Sequence, residues 1–195
     1  MNLVSIIMTC FNGEVFLKKA VESIISQTHQ NWELIFVDNN STDKSETIIK
    51  SFSDQRIKYF KSNTLVNLGS IRKLAYSKCQ GHFICFLDVD DYWSKYKLEK
   101  QIKIFEMNES IDVVSSNYYK IKNHTLTKNE NILYRGYCHN EIILSYIKGI
   151  AATAWLTLMI KKSSIDKLEY SFDDKTHIIS DFDLIIRLSI FSNFD

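Results

Sequence analysis

Apolar positions in the first ninety residues alternate between short continuous runs and helical stripes. Continuous runs of strand length occupy residues 3–8 and 32–37, and such runs are typical of strands that are buried on both faces of a sheet. Between them, from Glu14, apolar residues return in pairs every three or four positions, which predicts an amphipathic helix. The alternation continues with strands at residues 57–60 and after Gly81. The order β-α-β-α-β-α-β therefore predicts an α/β fold, with a mostly parallel central sheet and helices on both faces.

Polar turns and weaker patterns complete the predicted elements. Asp43 and Glu46 have the spacing of a capping box before a helix at residues 44–52, and Asn67 precedes a helix that reaches about residue 78. Later segments predict a helix at 95–105, strands at 112–116 and 156–160, and a helix from Asp181. The polar region 120–138 has no clear pattern. Length predicts a single domain over residues 1–195.

Composition restricts the classes of function. The formal net charge is +1, so there is no global attraction to nucleic acid, and none is predicted as a partner. The four cysteines have no CxxC spacing, and Cys10 and Cys85 fall in or beside apolar runs, which indicates buried thiols and a reducing cytoplasm rather than a zinc site. The N-terminus lacks the basic region of a signal peptide.

An apolar strand at residues 83–87 ends in three carboxylates. Asp88, Asp90 and Asp91 lie within four positions, at the rim where an open α/β sheet binds its ligands. Clustered carboxylates suit a divalent cation that carries a phosphate ester. Two other predicted strands end at Thr9-Cys10-Phe11-Asn12 and at Asp38. A DxD pattern or a single aspartate at a turn is weak evidence for a ligand site by itself, and Asp38 has about an equal chance of serving only as a turn or helix-cap residue. The convergence of these three strand ends on one edge of the sheet is stronger evidence for such a site.

With these motifs in order, the chain resembles the family 2 glycosyltransferases, which have the GT-A fold. The matching segments are residues 4–43, the arginine of LGSIRKLAYSK, GHFICFLDVDDYW with KLEKQ, and SDFDLIIRL. They extend over nearly the whole chain, and the resemblance implies that residues 1–92 form a nucleotide-binding half and residues 93–195 an acceptor-side half. The resemblance implies a transferase that moves a sugar from a nucleotide diphosphate to an acceptor hydroxyl, with Mg²⁺ or Mn²⁺ as cofactor.

The resemblance also implies roles for residues on the donor side. Thr9 and Phe11 would line the nucleobase pocket, with the Phe11 ring packed against the base. Asp38 would hydrogen-bond the base or ribose. Arg72, one of only four arginines in the chain, would lie near the base and diphosphate.

Three aspartates would serve the metal and the chemistry. Asp88 would contact the ribose or the water shell of the metal, and Asp90 would be the direct metal ligand, supported by Asp91. Asp181 matches the position of the family's catalytic base, although Ser180 stands where an acid is usual. The alternative for Asp181 is an N-cap or first-turn role in the last helix. For Trp155, the pattern does not choose between a place facing the acceptor and a packing role, whereas Trp93 is predicted to pack beneath the aspartate loop.

The resemblance implies an inverting, metal-dependent enzyme that uses a UDP-sugar. By analogy with the family, it would extend a surface polysaccharide, O-antigen or capsule, on a glycan or lipid-linked glycan acceptor. Its place would be cytoplasmic, with peripheral attachment to the inner face of the membrane as an option. One rival, a nucleotidyltransferase, would need a basic Gly-rich loop after the first strand, which TCFNGEVF lacks. The other rival is a non-catalytic or C-terminally truncated module that binds the nucleotide-sugar without transfer.

Overall fold

The computed structural model of the protein describes residues 2–122, 125–128, 154–175 and 180–194. In its first half, strands and helices alternate as the sequence predicts, each within a few residues of the expected bounds. The elements are β1 (Val4–Cys10), α1 (Leu17–Ile25), β2 (Trp32–Asp38), α2 (Ser45–Lys50), β3 (Ile57–Lys61), α3 (Leu68–Tyr76) and β4 (Phe83–Phe86).

The second half is less regular. Its described elements are α4 (Lys97–Met107), β5 (Val113–Val114), β6 (Tyr119–Lys122), β7 (Thr125–Lys128), a 3₁₀ turn (Trp155–Thr157), β8 (Met159–Lys161), α5 (Lys162–Asp166) and α6 (Ser180–Ser189). The strand predicted at 156–160 is thus divided between the 3₁₀ turn and β8. Of the polar region 120–138, which has no clear sequence pattern, the structure describes residues 120–122 and 125–128, which belong to the paired antiparallel strands β6 and β7.

The central sheet has six strands in the order β3-β2-β1-β4-β8-β5. Strands β3, β2, β1 and β4 are parallel, and β8 runs antiparallel to both β4 and β5. The predicted mostly parallel sheet is confirmed. Cys10 pairs with Asp38, and Ile7 pairs with Phe86. Because these strands are parallel, the loops after β1, β2 and β4 leave the same edge of the sheet.

Alternate residues of the strands bury opposite faces of the sheet. Ile6 and Met8 face one apolar cluster, to which α1, α2 and α4 contribute, whereas Ile7 faces a second cluster with α3, α5 and α6. Helices therefore cover both faces, as the sequence predicts. This arrangement explains why β1 and β2 are almost entirely apolar.

The capping box predicted before α2 is wrong. Asp43 accepts the N–H of Ser45 at 2.9 Å, whereas a box requires its first member to accept the N–H of Glu46. Glu46 does not return to the Asp43 N–H either, because it pairs with Lys50 and Lys61, each at 2.6 Å. The second oxygen of Asp43 accepts the N–H of Glu14 instead. Asp43 therefore connects the loop after β2 to the loop after β1, which no local pattern reveals.

Two further features agree with the composition. Cys10, Cys79 and Cys85 are buried free thiols, and burial raises the pKa of each of them. Over the residues that the structure describes, none of the helices has both the length and the apolar character needed to cross a bilayer.

A buried carboxylate fixes the entry to β4 at the opposite edge of the sheet. Glu33 accepts hydrogen bonds from the Ser5 hydroxyl at 2.5 Å and the Gln80 N–H at 2.6 Å, and it pairs with Lys58 at 2.6 Å. The Ser5 hydroxyl in turn accepts the N–H of Gly81 at 2.8 Å. Burial alone would raise the pKa of Glu33, but these partners hold it below its ordinary value.

We expect Glu33→Gln to destabilise the fold by about 1–3 kcal/mol at pH 7, because the amide cannot satisfy both donors and Lys58 in a buried place. The pKa of Glu33 is lower in the folded state, so the ionised carboxylate stabilises the fold above its ordinary pKa of 4.5. That stabilisation is lost as the pH falls through the folded-state pKa. Urea denaturation should therefore show a difference between variant and wild type that shrinks below about pH 4.5.

The matched control for this prediction is Glu46→Gln. Glu46 also binds two lysines at 2.6 Å, but on the surface, where ion pairs contribute little. Its substitution should leave stability nearly unchanged. An equal loss in both variants would contradict the role of burial at Glu33.

Candidate functional site

The loops after β1 and β2 hold each other in place. Asn12 adopts a left-handed backbone conformation (φ 53°), which asparagine tolerates better than most residues. Its N–H donates to the Ser41 hydroxyl at 3.0 Å, and its side-chain oxygen accepts the Thr42 N–H at 2.9 Å. The next residue, Gly13, donates its N–H to the Ser45 hydroxyl at 2.9 Å. The rim of the crevice near β1 is therefore a braced structure.

Thr9 and Phe11 lie where the sequence analysis places the nucleobase. Thr9 is at the carboxyl end of β1 and half-buried, and Phe11 follows the strand with 50% of its surface exposed. An exposed aromatic ring at this edge offers a face on which a planar base can stack. Both assignments remain predictions.

Asp38 is fully buried at the end of β2. One oxygen accepts the Ser41 N–H at 2.8 Å and the other accepts the Tyr59 hydroxyl at 3.2 Å. Burial and the charges of Asp38 and Glu46 raise the pKa of Tyr59, so that hydroxyl remains a donor. In this conformation Asp38 orders the loop that braces Asn12; its direct contact with a base or ribose stays a prediction.

The three aspartates after β4 form a compact acidic turn. Asp91 donates its N–H to the Asp88 carbonyl at 3.1 Å, while the side chain of Asp90 is exposed. Burial raises the pKa of Asp91 to about 6, and the charges of Asp90 and Asp88 contribute to that rise. Such mutual repulsion shows that the turn concentrates negative charge.

Arg72 connects this turn to the C-terminal helix. It lies on α3 with its side chain only 5% exposed, and its Nη2 is 3.9 Å from Asp88 Oδ1. Burial lowers the pKa of Arg72, and the charges of Asp88 and Asp181 oppose that change. Burial raises the pKa of Asp88; Arg72 opposes the rise, and Asp90 and Asp181 add to it. The fold therefore brings Asp181 into electrostatic range of both residues.

Asp181 and its neighbour Asp183 have different surroundings. Both lie in the first turn of α6. Asp183 is engaged by Arg187, whose Nη2 is 2.6 Å from its carboxylate, and Arg187 also donates to the carbonyls of Tyr170 and Ser171. Asp181 instead faces the charges of Asp88 and Arg72. That Asp181, and not Asp183, acts on a ligand in the crevice stays a prediction.

The acidic turn fits a divalent cation that is held jointly with a ligand. No group of three or more His, Cys, Asp or Glu side chains converges on one point in the described part of the chain. Mg²⁺ characteristically takes one or two protein carboxylates and completes its shell with water and substrate phosphates. Asp90 and Asp88 supply such carboxylates, and Arg72 offsets part of the negative charge around Asp88. The donor set is therefore suited to a metal–diphosphate complex.

The structure also shows two residues whose environment the sequence did not reveal. Trp155 is 6% exposed; its ring stacks on Phe86 at 3.7 Å between centroids and lies 4.7 Å from the guanidinium carbon of Arg72. The sequence pattern left two roles open for Trp155, facing the acceptor or packing in the core, and the structure shows it packed in the core beneath the crevice. Lys97 is buried beside Gln101, at 2.6 Å. Neither environment has a local signal in the sequence, because the ring contacts of Trp155 and the approach of Lys97 Nζ to the Leu158 carbonyl, at 3.5 Å, join distant segments.

Trp93 packs beneath the aspartate turn, as the sequence analysis predicts. It is 5% exposed. Its backbone N–H donates to the Ser23 hydroxyl at 3.1 Å, and its indole N–H donates to the Leu156 carbonyl at 2.9 Å. The turn is therefore anchored to α1 on one side and to the 3₁₀ turn on the other.

Comparison with known proteins agrees with this geometry. The family profile "Glycosyl transferase family 2" matches residues 5–168. The chain is 37% identical over 124 residues to the Escherichia coli protein named UDP-Glc:alpha-D-GlcNAc-diphosphoundecaprenol beta-1,3-glucosyltransferase WfgD, a match that covers 64% of this chain and 49% of that protein. It is 38% identical over 112 residues to the putative teichuronic acid biosynthesis glycosyltransferase TuaG of Bacillus subtilis, covering 55% and 43%.

Solved structures share the fold. S. aureus TarS 1–349 in complex with UDP superposes with a TM-score of 0.81 at 18% identity, covering 100% of this chain and 60% of that one. The mannosyltransferase PcManGT of Pyrobaculum calidifontis, in complex with GDP-Man and Mn²⁺, superposes with a TM-score of 0.63 at 13% identity, covering 86% and 46%. The chain spans about half the length of WfgD and of similar curated relatives. The match of the family profile to most of the chain shows that the protein belongs to the family 2 glycosyltransferases, with the GT-A fold.

Proposed function

We propose that the protein transfers a sugar from a UDP-sugar to an acceptor hydroxyl, with inversion at the anomeric carbon. The observation that supports this most is the convergence of Arg72, Asp88 and Asp181, from three separate segments, on the carboxyl edge of the parallel strands. A leaving diphosphate needs positive charge, and an incoming hydroxyl needs a base. The names of WfgD and of the TarS complex, which print UDP-Glc and UDP, favour uridine nucleotides.

On the donor side, the proposed roles follow the positions of the side chains. Phe11 stacks on the base beside Thr9, and Asp38 keeps the adjoining loop ordered or contacts the nucleoside directly. Arg72 contributes a fixed positive charge to the diphosphate.

The acidic turn holds the metal in this proposal. Asp90 is the direct ligand, Asp88 a second ligand or a partner of the metal's water shell, and Asp91 supports the turn. A bound Mg²⁺ or Mn²⁺ would offset the charge that develops on the leaving diphosphate without a proton transfer.

On the acceptor side, Asp181 is the base. Its carboxylate takes the proton of the acceptor hydroxyl as the oxygen attacks the anomeric carbon and the bond to the diphosphate breaks. Because a single displacement reverses the configuration, the base and the leaving group must lie on opposite sides of the sugar. Asp181 lies on α6, a different segment from the acidic turn, and its charge acts on both Arg72 and Asp88, which supports this division.

The proposed acceptor is a lipid-linked glycan in the synthesis of a bacterial surface polysaccharide. The name of WfgD specifies a diphosphoundecaprenol-linked acceptor, and that of TuaG specifies teichuronic acid biosynthesis. Such an acceptor places the reaction at the cytoplasmic face of the membrane, with the protein attached peripherally. This part of the proposal rests on the relatives rather than on the geometry of the crevice.

A thermal-shift screen tests the donor site. A ligand that binds only the folded state at 100 times its Kd stabilises it by about 2.7 kcal/mol, which for a chain of this size raises Tm by about 5–10 °C. We expect UDP with Mn²⁺ to produce this shift, and UMP with Mn²⁺ or UDP with EDTA to produce much less. Absence of a shift with any nucleoside diphosphate would contradict the proposed donor site. Binding without any release of UDP from UDP-sugars would favour the non-catalytic module.

A further inference from the structure

The guanidinium of Arg72 lies between an aromatic ring and carboxylates. Its Cζ is 4.7 Å from the centroid of the Trp155 ring, within the range of a cation–π contact. Asp88 and Asp181 are the carboxylates whose charges act on it. Because the side chain is only 5% exposed, water contributes little to its solvation. The ring and the carboxylates therefore contribute to its orientation.

Trp155 is itself held by the strand that carries the acidic turn. Its ring stacks on Phe86 at 3.7 Å with 30° between the ring planes, and Phe172 packs edge-on at 6.2 Å. Phe86 is the last residue of β4 and precedes Asp88 by two positions. The stack Phe86–Trp155–Arg72 thus links the end of β4 to α3, and a shift of the tryptophan would move the guanidinium relative to the aspartates.

We propose that Trp155 is a positioning residue that orients Arg72 toward the donor diphosphate; this inference rests on the proposed function. The ring covers one side of the guanidinium and offers it no hydrogen-bond acceptor. The N–H groups lie in the guanidinium plane, and Nη2 is 3.9 Å from Oδ1 of Asp88 in the acidic turn. Without the ring, Arg72 would be able to tilt and pair closely with Asp88 or Asp181. Such a pair would neutralise the positive charge that the diphosphate needs.

A second tryptophan–arginine pair in the chain provides the matched control. Trp32 is 2% exposed, and the Cζ of Arg56 lies 3.7 Å from its ring. Arg56 donates to Asp54 and Gln30. This pair is at the beginning of β2, on the edge of the sheet opposite the crevice. Substitutions of Trp32 therefore report what the loss of a buried, cation-stacked tryptophan does to stability alone.

A double-mutant cycle tests the proposal. The variants are Trp155→Leu, Arg72→Met and the double variant, and the probe is the diphosphate that the unaltered protein binds most tightly among UDP, GDP, dTDP and CDP, with Mn²⁺. We expect Trp155→Leu to weaken binding by about 3- to 30-fold, the range for loss of a desolvated cation–π contact. In the Arg72→Met background the same change should weaken binding less than about twofold, because the group that it positions is gone.

Further arms separate positioning from general damage. Trp155→Phe, which keeps a ring, should stay within about threefold of the unaltered protein, and Trp32→Leu should lower Tm without changing affinity. The proposal is overturned if Trp155→Leu weakens diphosphate binding equally with Arg72 and with Met at position 72. It is also overturned if Arg72→Met alone binds the diphosphate as tightly as the unaltered protein, and this second result does not depend on whether Trp155→Leu folds. If the unaltered protein binds none of the four diphosphates, the proposed function fails and the positioning role fails with it. Tight binding without coupling between residues 72 and 155 overturns the positioning role alone.

Discussion

We expect Asp181→Asn to lower the rate of sugar transfer by about 100- to 10,000-fold, the range for loss of a general base. Asparagine has nearly the same shape but cannot take the proton of the acceptor hydroxyl. The proposed donor site is formed by other segments, so affinity for UDP with Mn²⁺ should stay within about threefold of wild type, the change that removal of one nearby surface charge allows. The measurement is UDP release from a UDP-sugar, with and without a GlcNAc-diphospholipid acceptor.

Asp183→Asn is the control for that result. Asp183 lies in the same first helical turn, so this variant removes the same charge near the helix N-terminus. Its carboxylate is bound to Arg187 at 2.6 Å rather than directed at the crevice. We expect a lower Tm and a nearly normal rate of transfer. If the two variants transfer sugar at comparable rates, whether both nearly normal or both strongly reduced, the assignment of Asp181 as the base is contradicted.

Asp90→Asn should remove most of the dependence of diphosphate affinity on the metal. The neutral amide is a poorer ligand for Mg²⁺ or Mn²⁺ than a carboxylate. We expect UDP affinity in Mn²⁺ to fall by about 10- to 100-fold, comparable to the loss on disturbing a metal site elsewhere, while affinity in EDTA stays unchanged. Calorimetric titration of UDP, in Mn²⁺ and in EDTA, measures both values.

Glu106→Gln is the control for Asp90→Asn, since it removes one negative charge at the other edge of the sheet. Glu106 is a surface residue near the end of α4 whose carboxylate accepts a hydrogen bond from Asn2, just before β1. Its substitution should preserve the difference in UDP affinity between Mn²⁺ and EDTA. If Asp90→Asn also preserves that difference, the acidic turn does not bind the metal, and metal dependence would have to be sought elsewhere.

Local patterns predicted the first half of the fold well. Strands β1 and β2 follow from continuous apolar runs, because burial on both faces of a sheet requires apolar residues at successive positions. Helix α1 follows from its apolar stripe, because burial of one helix face requires apolar residues every three or four positions. The division of residues 155–161 into a 3₁₀ turn and a short strand was not predicted. An apolar run of this length is compatible with several backbone conformations, and here pairing of β8 between β4 and β5 selects one.

The candidate site was predicted unevenly. Asp88, Asp90 and Asp91 stand out because they follow a buried strand, and Arg72 stands out because arginines are scarce. Trp155 gave no such sign, since its importance comes from contacts with Phe86 and Arg72 that lie far away in the sequence. Asp38 shows the opposite case: its position at a strand end was evident, but its complete burial and its bond to Tyr59 were not.

The sequence by itself determined that this chain forms a parallel α/β sheet and that carboxylates and an aromatic residue end its strands, because periodicity and strand-end residues are local properties of the chain. Only the tertiary structure decided the order β3-β2-β1-β4-β8-β5, the helix that faces each side of the sheet, and the partners of each charge. Those outcomes depend on contacts between distant segments. The electrostatic link from Asp88 through Arg72 to Asp181 is such an outcome, since three separate segments meet there after the chain has folded.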